Sequence, residues 1–431
     1  MAYTDFIAAI DLGTSHMVGM VGTKNATGAL SIIVYEVENS GTCIRRGCVY
    51  NVKETASKIK RLILKLENKL GGTKIGQVYV GLGGQSLRSI EHTVCKVLGT
   101  EGVVTEEIID SLYQECKDYR PDMLTVLDVV SPSYFLDDKP ESNPVGVPCS
   151  RIEARYKLIV GRPSLKLNIV NSISEQAKIE IAGILVSPLA LGDVVLSDNE
   201  KDLGCALIGF GAGVTTISVY KGGKLASLSV VPFGGNLITK DITNLRVVES
   251  EAERLKITYG SAKADRDNDM TIQVSLADGM GLREIKLAEL NGVIEARMDE
   301  ILENVYARLE ATGLMSVLGA GIVITGGGAA LKNLPAVMSE RLKMEVRYSA
   351  VRKGVVASGD LVVASNPEYA VAVGLLAKGT KNCALYIPPK PEPKIEPVVE
   401  PEPIVEPTPE PEPVKEKPKK RRKKVPACSG G

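Results

Sequence analysis

Three glycine-rich segments, each placed directly after an apolar run, constrain this chain more than any other feature. They are Ile10-Asp-Leu-Gly-Thr-Ser15, Ile208-Gly-Phe-Gly-Ala-Gly-Val-Thr-Thr216 and Ile324-Thr-Gly-Gly-Gly-Ala-Ala-Leu331. The first two run into further strand-like stretches, Met17 to Val21 and Ile217 to Tyr220, so each reads as strand, turn, strand. Backbone N–H groups at a tight glycine turn point outward together and form a concavity for an anion. Two such hairpins facing each other can clasp a polyphosphate, and the third turn can hold a base. Thr14 and Ser15 add hydroxyl donors on one side; Gly211, Ala212, Gly213 and Thr215 supply the second set. Asp11, just before the first turn, is placed to hold a hydrated Mg²⁺ that bridges phosphates.

Other nucleotide folds fit less well. There is no G-x-x-x-x-G-K-[ST] segment, which excludes the P-loop class. Gly209-Phe-Gly-Ala-Gly213 has a dinucleotide-like look, but it continues into a strand instead of a helix and its last glycine is misplaced.

Composition removes further classes. At 431 residues the chain has material for two or three domains, and its net charge of zero offers no basic field for nucleic acid. No stretch is long and apolar enough for a membrane span, and no signal peptide opens the chain. Eight scattered cysteines without a C-x-x-C pair, and two histidines, argue against zinc and for reduced thiols in a cytoplasm.

Strand-like and helix-like segments mix up to Ile387, which gives an α/β fold. Ile59, Leu62, Ile63, Leu66 and Leu70 predict an amphipathic helix over 53–70, followed by a buried strand at Val78–Leu82. Residues 86–162 read as a compact insertion with a helix at 106–116, a strand near 124–130 and an alternating strand at 152–160. A long helix is expected over 288–309. The first two glycine motifs also resemble each other, as two related half-domains facing one cleft would. From Pro388 the chain holds thirteen of its 23 prolines, interleaved with Glu and Val, and reads as an extended, disordered linker. It carries the basic block Lys415–Lys424.

In the order of its motifs the chain resembles the actin-like ATPase superfamily, and within it the FtsA family of bacterial cell division. The closer likeness rests on Pro232-Phe-Gly-Gly-Asn-Leu-Ile-Thr-Lys-Asp-Ile242, Ser250-Glu-Ala-Glu-Arg-Leu-Lys-Ile-Thr-Tyr-Gly260 and Asn366-Pro-Glu-Tyr-Ala-Val-Ala-Val-Gly-Leu-Leu376. The resemblance implies an actin-like (ribonuclease H-like) two-domain fold around a nucleotide cleft. Subdomain 1A would span 1–85 and 163–199 and close with a helix at 366–387. Subdomain 1C, an SHS2-like insertion, would span 86–162; 2A would cover 200–233 and 305–365, and 2B 234–304. Residues 388–431 would be linker and tail.

The same resemblance implies roles. Glu253 and Lys256 match a pair that contacts ribose and base; on bare spacing they would be an exposed ion pair of a few tenths of a kcal/mol. Gly234, Gly235 and Asn236 match the turn over the nucleotide, and Gly326, Gly327 and Gly328 the adenosine motif. Gly13, Thr14, Ser15 and His16 form the first phosphate segment, His16 standing where the family commonly has Lys. Gly209 and Val214 replace an acidic residue and a Thr, so the expectation is ATP, with Mg²⁺, bound but hydrolysed slowly or not at all. The implied partners are FtsZ, further copies of the chain, other divisome proteins and the inner face of the cytoplasmic membrane at the division site, and not nucleic acid. The family's closing amphipathic membrane helix is not evident after Lys424. The basic block reads equally as a lipid-attracting segment and as a solubilising charge run. A pilus-assembly protein of the PilM type and a small-molecule kinase on the same fold stand as the alternatives. The kinase lacks the obvious place for a carboxylate base.

Overall fold

The structure is a computed structural model that describes residues 5–99, 102–275, 281–357 and 366–385. The proline-rich linker and basic block lie outside the described residues.

Two five-stranded sheets share one topology. In the first, the central β1 (Ile7–Leu12) pairs antiparallel with β2 (His16–Lys24), which pairs antiparallel with β3 (Leu30–Asn39). On its other side β1 runs parallel to β6 (Gln77–Leu82), and β6 parallel to β11 (Glu180–Val186). The second sheet repeats the plan with β12 (Cys205–Phe210), β13 (Thr215–Lys221) and β14 (Lys224–Val231) antiparallel, and β17 (Ile322–Thr325) and β18 (Val346–Tyr348) parallel. The weak likeness of the first two motifs is therefore a likeness of whole lobes. The two central strands even share a burial pattern: every residue is buried except the fifth, which is Asp11 in one and Gly209 in the other. Covered on both faces, these strands are apolar runs without alternation, as buried central strands are.

Helices cover the sheets where the sequence places apolar stripes. Helix α1 (Val52–Lys69) starts at Asn51, whose side chain accepts the Glu54 N–H at 3.1 Å. It buries Ile59, Leu62, Ile63 and Leu66 on the first sheet, each worth about 1.5–3 kcal/mol when fully buried. Helix α8 (Leu287–Glu310) does the same in the second lobe through Leu290, Ile294, Met298, Ile301, Leu302 and Val305. Helices α4 (Ser187–Val195) and α10 (Ala370–Lys378) pack together, and α10 also packs on β1.

Between β6 and β11 the chain builds a third sheet from β7 (Arg88–Val97), β8 (Thr125–Leu136), β9 (Lys139–Glu141) and β10 (Arg151–Gly161). Helix α2 (Glu106–Asp118), capped by Thr105, closes a separate core around Val94, Leu112, Cys116, Ile152, Tyr156 and Leu158. The alternation read at 152–160 is the inward face of β10. Helix α3 (Ser164–Val170) returns the chain to the first lobe and continues into a π-helical segment, Asn171–Ala177, for which the sequence carries no recognised signal. A two-rung hairpin, β4 (Ile44–Arg45) and β5 (Cys48–Val49), precedes α1.

The second lobe adds α5 (Asp198–Leu203), α6 (Gly235–Ile242) and α7 (Glu249–Tyr259). The hairpin of β15 (Thr271–Ser275) and β16 (Leu282–Lys286) and helix α9 (Leu334–Leu342) complete it. Among the described residues no helix is long and apolar enough to cross a membrane.

Candidate functional site in the interlobe cleft

The C-terminal ends of β1 and β12 meet across a cavity of about 430 Å³, within the size range of small-ligand sites. Asp11, Gly13, Thr14, Ser15 and His16 line it from the first lobe, and Gly211, Ala212, Gly213, Gly235, Glu253, Lys256, Gly326, Gly327 and Gly328 from the second. Of the residues expected from sequence, Gly234, Thr215 and Asn236 do not line it. Thr215 is fully buried, and its hydroxyl donates to the Phe233 carbonyl at 2.9 Å. Asn236 spends its N–H on Ala212 O at 2.8 Å.

Each phosphate-type turn has two of its carbonyls tied off from behind. In the first, buried Ser40 donates its hydroxyl to Gly13 O at 2.7 Å and its N–H to Ser15 O at 3.0 Å. Thr14 Oγ1 accepts the Gly47 N–H at 2.9 Å, which leaves the Thr14 proton free to donate. In the second, Gly211 O and Ala212 O accept from the N–H groups of Gly235 and Asn236, at 3.0 and 2.8 Å. Among the described residues the N–H groups of Thr14, Ser15, Ala212 and Gly213 donate to no acceptor. Both turns thus present free donors and have two carbonyls each turned to other partners, which suits an anion. The arrangement also explains Gly234: a Cβ there would lie 2.5 Å from Gly211 O, so a side chain would lift α6 off the turn.

Asp11 is the carboxylate at this end of the cavity. Burial pushes its pKa up from 3.8 to about 6, against a smaller downward pull from the Leu12 backbone. Among the described residues no arginine lines the cavity, and its lysine, Lys256, is held by Gly235 O, Thr239 and Glu253. A polyphosphate held there would stand next to the Asp11 carboxylate, which no cation on its own turn neutralises. A Mg²⁺ ion, which takes one or two carboxylates and completes its shell with water and phosphate oxygens, fits that donor set. Among the described residues no group of three or more His, Cys, Asp or Glu could hold a metal by itself. A metal at Asp11 therefore depends on ligands brought with a nucleotide.

At the other end, α7 is bolted to α6. Lys256, with 14% of its side chain exposed, donates to Gly235 O (3.1 Å), Thr239 Oγ1 (2.9 Å) and Glu253 Oε2 (2.7 Å). All three ammonium protons are used. This is a half-buried brace and not the loose ion pair that spacing alone suggests. Thr239 also donates to the same Glu253 oxygen, which leaves Oε1 for a ligand hydroxyl. Ile257, 72% exposed, is an apolar residue lining the same cavity as the Gly326–Gly328 turn.

Sequence reasoning missed several lining residues. Thr216, not Thr215, faces the cavity, because alternate residues of β13 point to opposite faces. Gly83 and Gly84 form a further glycine turn after β6, with the same strand-then-glycine signature as the others. Ser187, Pro188, Thr325, Pro367, Glu368 and Val371 arrive from distant parts of the chain and carry no local signal. At Gly209 an added Cβ would sit 2.6 Å from Thr216 Oγ1, so the Thr216 hydroxyl occupies the ground a side chain at 209 would need.

Comparison with known proteins narrows the reading. The family model for cell division protein FtsA matches residues 206–374. The chain is 39% identical over 382 residues to the cell division protein FtsA of Porphyromonas gingivalis (strain ATCC BAA-308 / W83), covering 88% of this chain and 79% of that protein. It is 32% identical over 391 residues to the cell division protein FtsA of Bacillus subtilis (strain 168), covering 89% and 86%. Among solved structures it resembles the PilM–PilN type IV pilus biogenesis complex (TM-score 0.60, 15% identity, 86% of this chain and 97% of that one). It also resembles MreB5 of Spiroplasma citri bound to ADP (TM-score 0.51, 14% identity, 86% and 95%). At such identities the structural likeness concerns the fold, which is the actin-like one expected from the motif order.

Proposed function

Because the chain belongs to the FtsA family of cell division proteins, we propose that it binds ATP in the interlobe cleft, self-associates, and links FtsZ to the cytoplasmic membrane during septum assembly. The observation that carries the ATP reading is the pair of opposed turns with free N–H groups and with the carbonyls of Gly13, Ser15, Gly211 and Ala212 spent elsewhere. In this reading Gly13–Ser15 and Gly211–Gly213 hold the phosphates. His16 borders them, its ring held by Ser15 Oγ at 2.9 Å. Gly326–Gly328 and Ile257 receive the base, and Glu253 receives the ribose. Asp11 would hold Mg²⁺, which when bound would supply positive charge against the phosphate oxygens. Residues 86–162 and 234–304 supply contacts to further copies and to FtsZ. The basic block Lys415–Lys424 contributes attraction to anionic lipid, about 1 kcal/mol per basic residue at the surface.

The site is built to hold ATP and not to spend it. Asp11 and Gly209 occupy equivalent positions in the two lobes, so the second lobe lacks the carboxylate that could arrange metal and attacking water. Gly209→Asp alone is expected to lose about 1–3 kcal/mol of stability through its overlap with Thr216. Gly209→Asp combined with Thr216→Ala makes the room and is expected to hydrolyse ATP faster than the wild type. Phosphate release from the three proteins checks this. Brisk wild-type turnover, or no gain in the double variant, contradicts it.

Co-sedimentation with FtsZ, with and without ATP and anionic liposomes, tests the cellular role. The expected result is FtsZ-dependent pelleting that liposomes enhance. No FtsZ-dependent pelleting under any condition overturns the role. Pelleting with a pilus-type partner peptide instead would favour the PilM-like reading, which the structural likeness keeps in view.

A further inference from the structure

The hairpin β4–β5 touches both phosphate turns and the two ends of the chain that builds the four-stranded sheet. Its Gly47 donates to Thr14 Oγ1 in the first phosphate turn (2.9 Å). The Cα of Arg46 lies 2.9 Å from where a Cβ on Gly213 of the second turn would stand. On its far side Arg46 O accepts the Gln85 N–H at 3.1 Å, and the Arg46 guanidinium donates to Gln85 Oε1 at 3.2 Å. Gln85 leads directly into β7 of the four-stranded sheet. The chain's return from that sheet is tied to the same hairpin: Asn168 of α3 donates its side-chain N–H to Val49 O at 3.0 Å. The exit and return strands are joined to each other by Arg162 N–H donating to Ser86 Oγ at 3.2 Å.

Two further observations make this more than a packing contact. Arg46 holds φ +48°, in the left-handed region that a long side chain adopts at a cost, and such strain persists only where surrounding contacts over-determine it. The four-stranded sheet is also braced on the second lobe, through Leu228 N–H donating to Ser89 Oγ at 2.8 Å and Lys224 Nζ donating to the Pro132 carbonyl. A sheet fixed to one lobe by its chain ends and to the other by β14 must shift whenever the angle between the lobes changes. A cavity of about 820 Å³, lined by Gln85–Arg88, Arg162–Ser164, Ser229 and Val230, lies at that junction and gives the shift room.

We propose that the hairpin at residues 44–49 couples the phosphate end of the cleft to the four-stranded sheet, so that nucleotide occupancy sets the sheet's position. The proposal rests on the reading of the cleft as an ATP site. Coupling is reciprocal: whatever binds the four-stranded sheet in its nucleotide-set position tightens nucleotide binding by the same factor.

Amide hydrogen exchange on the full chain, with and without ATP and Mg²⁺, tests it alongside a nucleotide titration. In the wild type, ATP is expected to slow exchange at 85–92 and 158–165 about fivefold or more, besides the turns at 13–15 and 211–213. The Gln85→Ala, Asn168→Ala double variant cuts both side-chain ties without altering a residue that lines the nucleotide cleft. It is expected to bind ATP as the wild type does and to lose the protection at 85–92 and 158–165. ATP binding with protection confined to the turns overturns the coupling alone, as does protection that survives in the double variant. Absence of ATP binding by the wild type overturns the site reading and the coupling together. Should the double variant misfold, the wild-type exchange map and Gln85→Ala still decide.

Discussion

Gly213→Ala is expected to weaken ATP binding at least a hundredfold, about 3 kcal/mol, while both lobes stay folded. The added methyl would stand 2.6 Å from Thr14 Oγ1 and 2.9 Å from Arg46 Cα. One neighbour is backbone and the other is fixed by the Gly47 N–H, so neither can swing aside as a long side chain would. The overlap is relieved only by separating the two turns, and separated turns no longer converge on one phosphate chain. The change lies at the tip of a turn, outside the cores of both lobes, so the thermal midpoint should move little. Equilibrium titration with ATP, paired with a thermal melt, checks both halves. Undiminished affinity would mean that the two turns do not share a ligand.

Asp11→Asn should produce opposite changes in stability and in function. Asp11 in the fold ionises near pH 6, against 3.8 for the free group. The folded state therefore holds this proton more tightly than the unfolded chain does. Ionisation costs stability as pH rises past about 4, and the cost is complete above about 6. Two pKa units correspond to on the order of 2–3 kcal/mol, so at pH 7.5 the Asn variant should be more stable than the wild type by that order. The two should converge as pH falls to about 4. The same variant should lose the Mg²⁺-dependent part of its ATP affinity, because an amide is a poor ligand for this hard cation. Wild-type affinity for ATP with Mg²⁺ should fall below pH 6, as Asp11 takes up its proton. Melts at pH 4 and 7.5, and titrations with and without Mg²⁺, decide it. Equal stability at pH 7.5, or undiminished Mg²⁺ dependence, contradicts the role of Asp11.

A destabilising carboxylate kept in a cleft is the kind of local inconsistency that marks function, and the sequence carries its trace as an Asp set directly before a glycine turn. The glycine turns were legible because each combines a buried strand, which forces an apolar run, with a close approach that only glycine allows. Their equivalence in two lobes was legible as a weak repeat. Parity was not. Thr215 and Thr216 follow the same turn, and only the start of β13 decides which faces the cavity; a one-residue difference in that start exchanges the two faces. Ser40 is invisible for a different reason. It holds two turn carbonyls from the end of β3, 27 residues from Gly13, and nothing about a lone serine between Asn39 and Gly41 announces that contact. The hairpin at 44–49 has two rungs, too few for a periodic signal. Its glycine and its left-handed arginine become meaningful only once Gly84 and Gly213 are seen against them. The Glu253–Lys256 spacing was legible and its energetics were not: burial of the lysine comes from α6 packing over it, which no i,i+3 pattern encodes.

Calorimetric titration of the wild-type chain with ATP and Mg²⁺ at pH 7.5, beside Gly213→Ala, tests the central claim most directly. The account predicts saturable binding of one nucleotide per chain, lost or weakened at least about a hundredfold in the variant. No saturable binding by the wild type, or equal affinity in the two proteins, would contradict it.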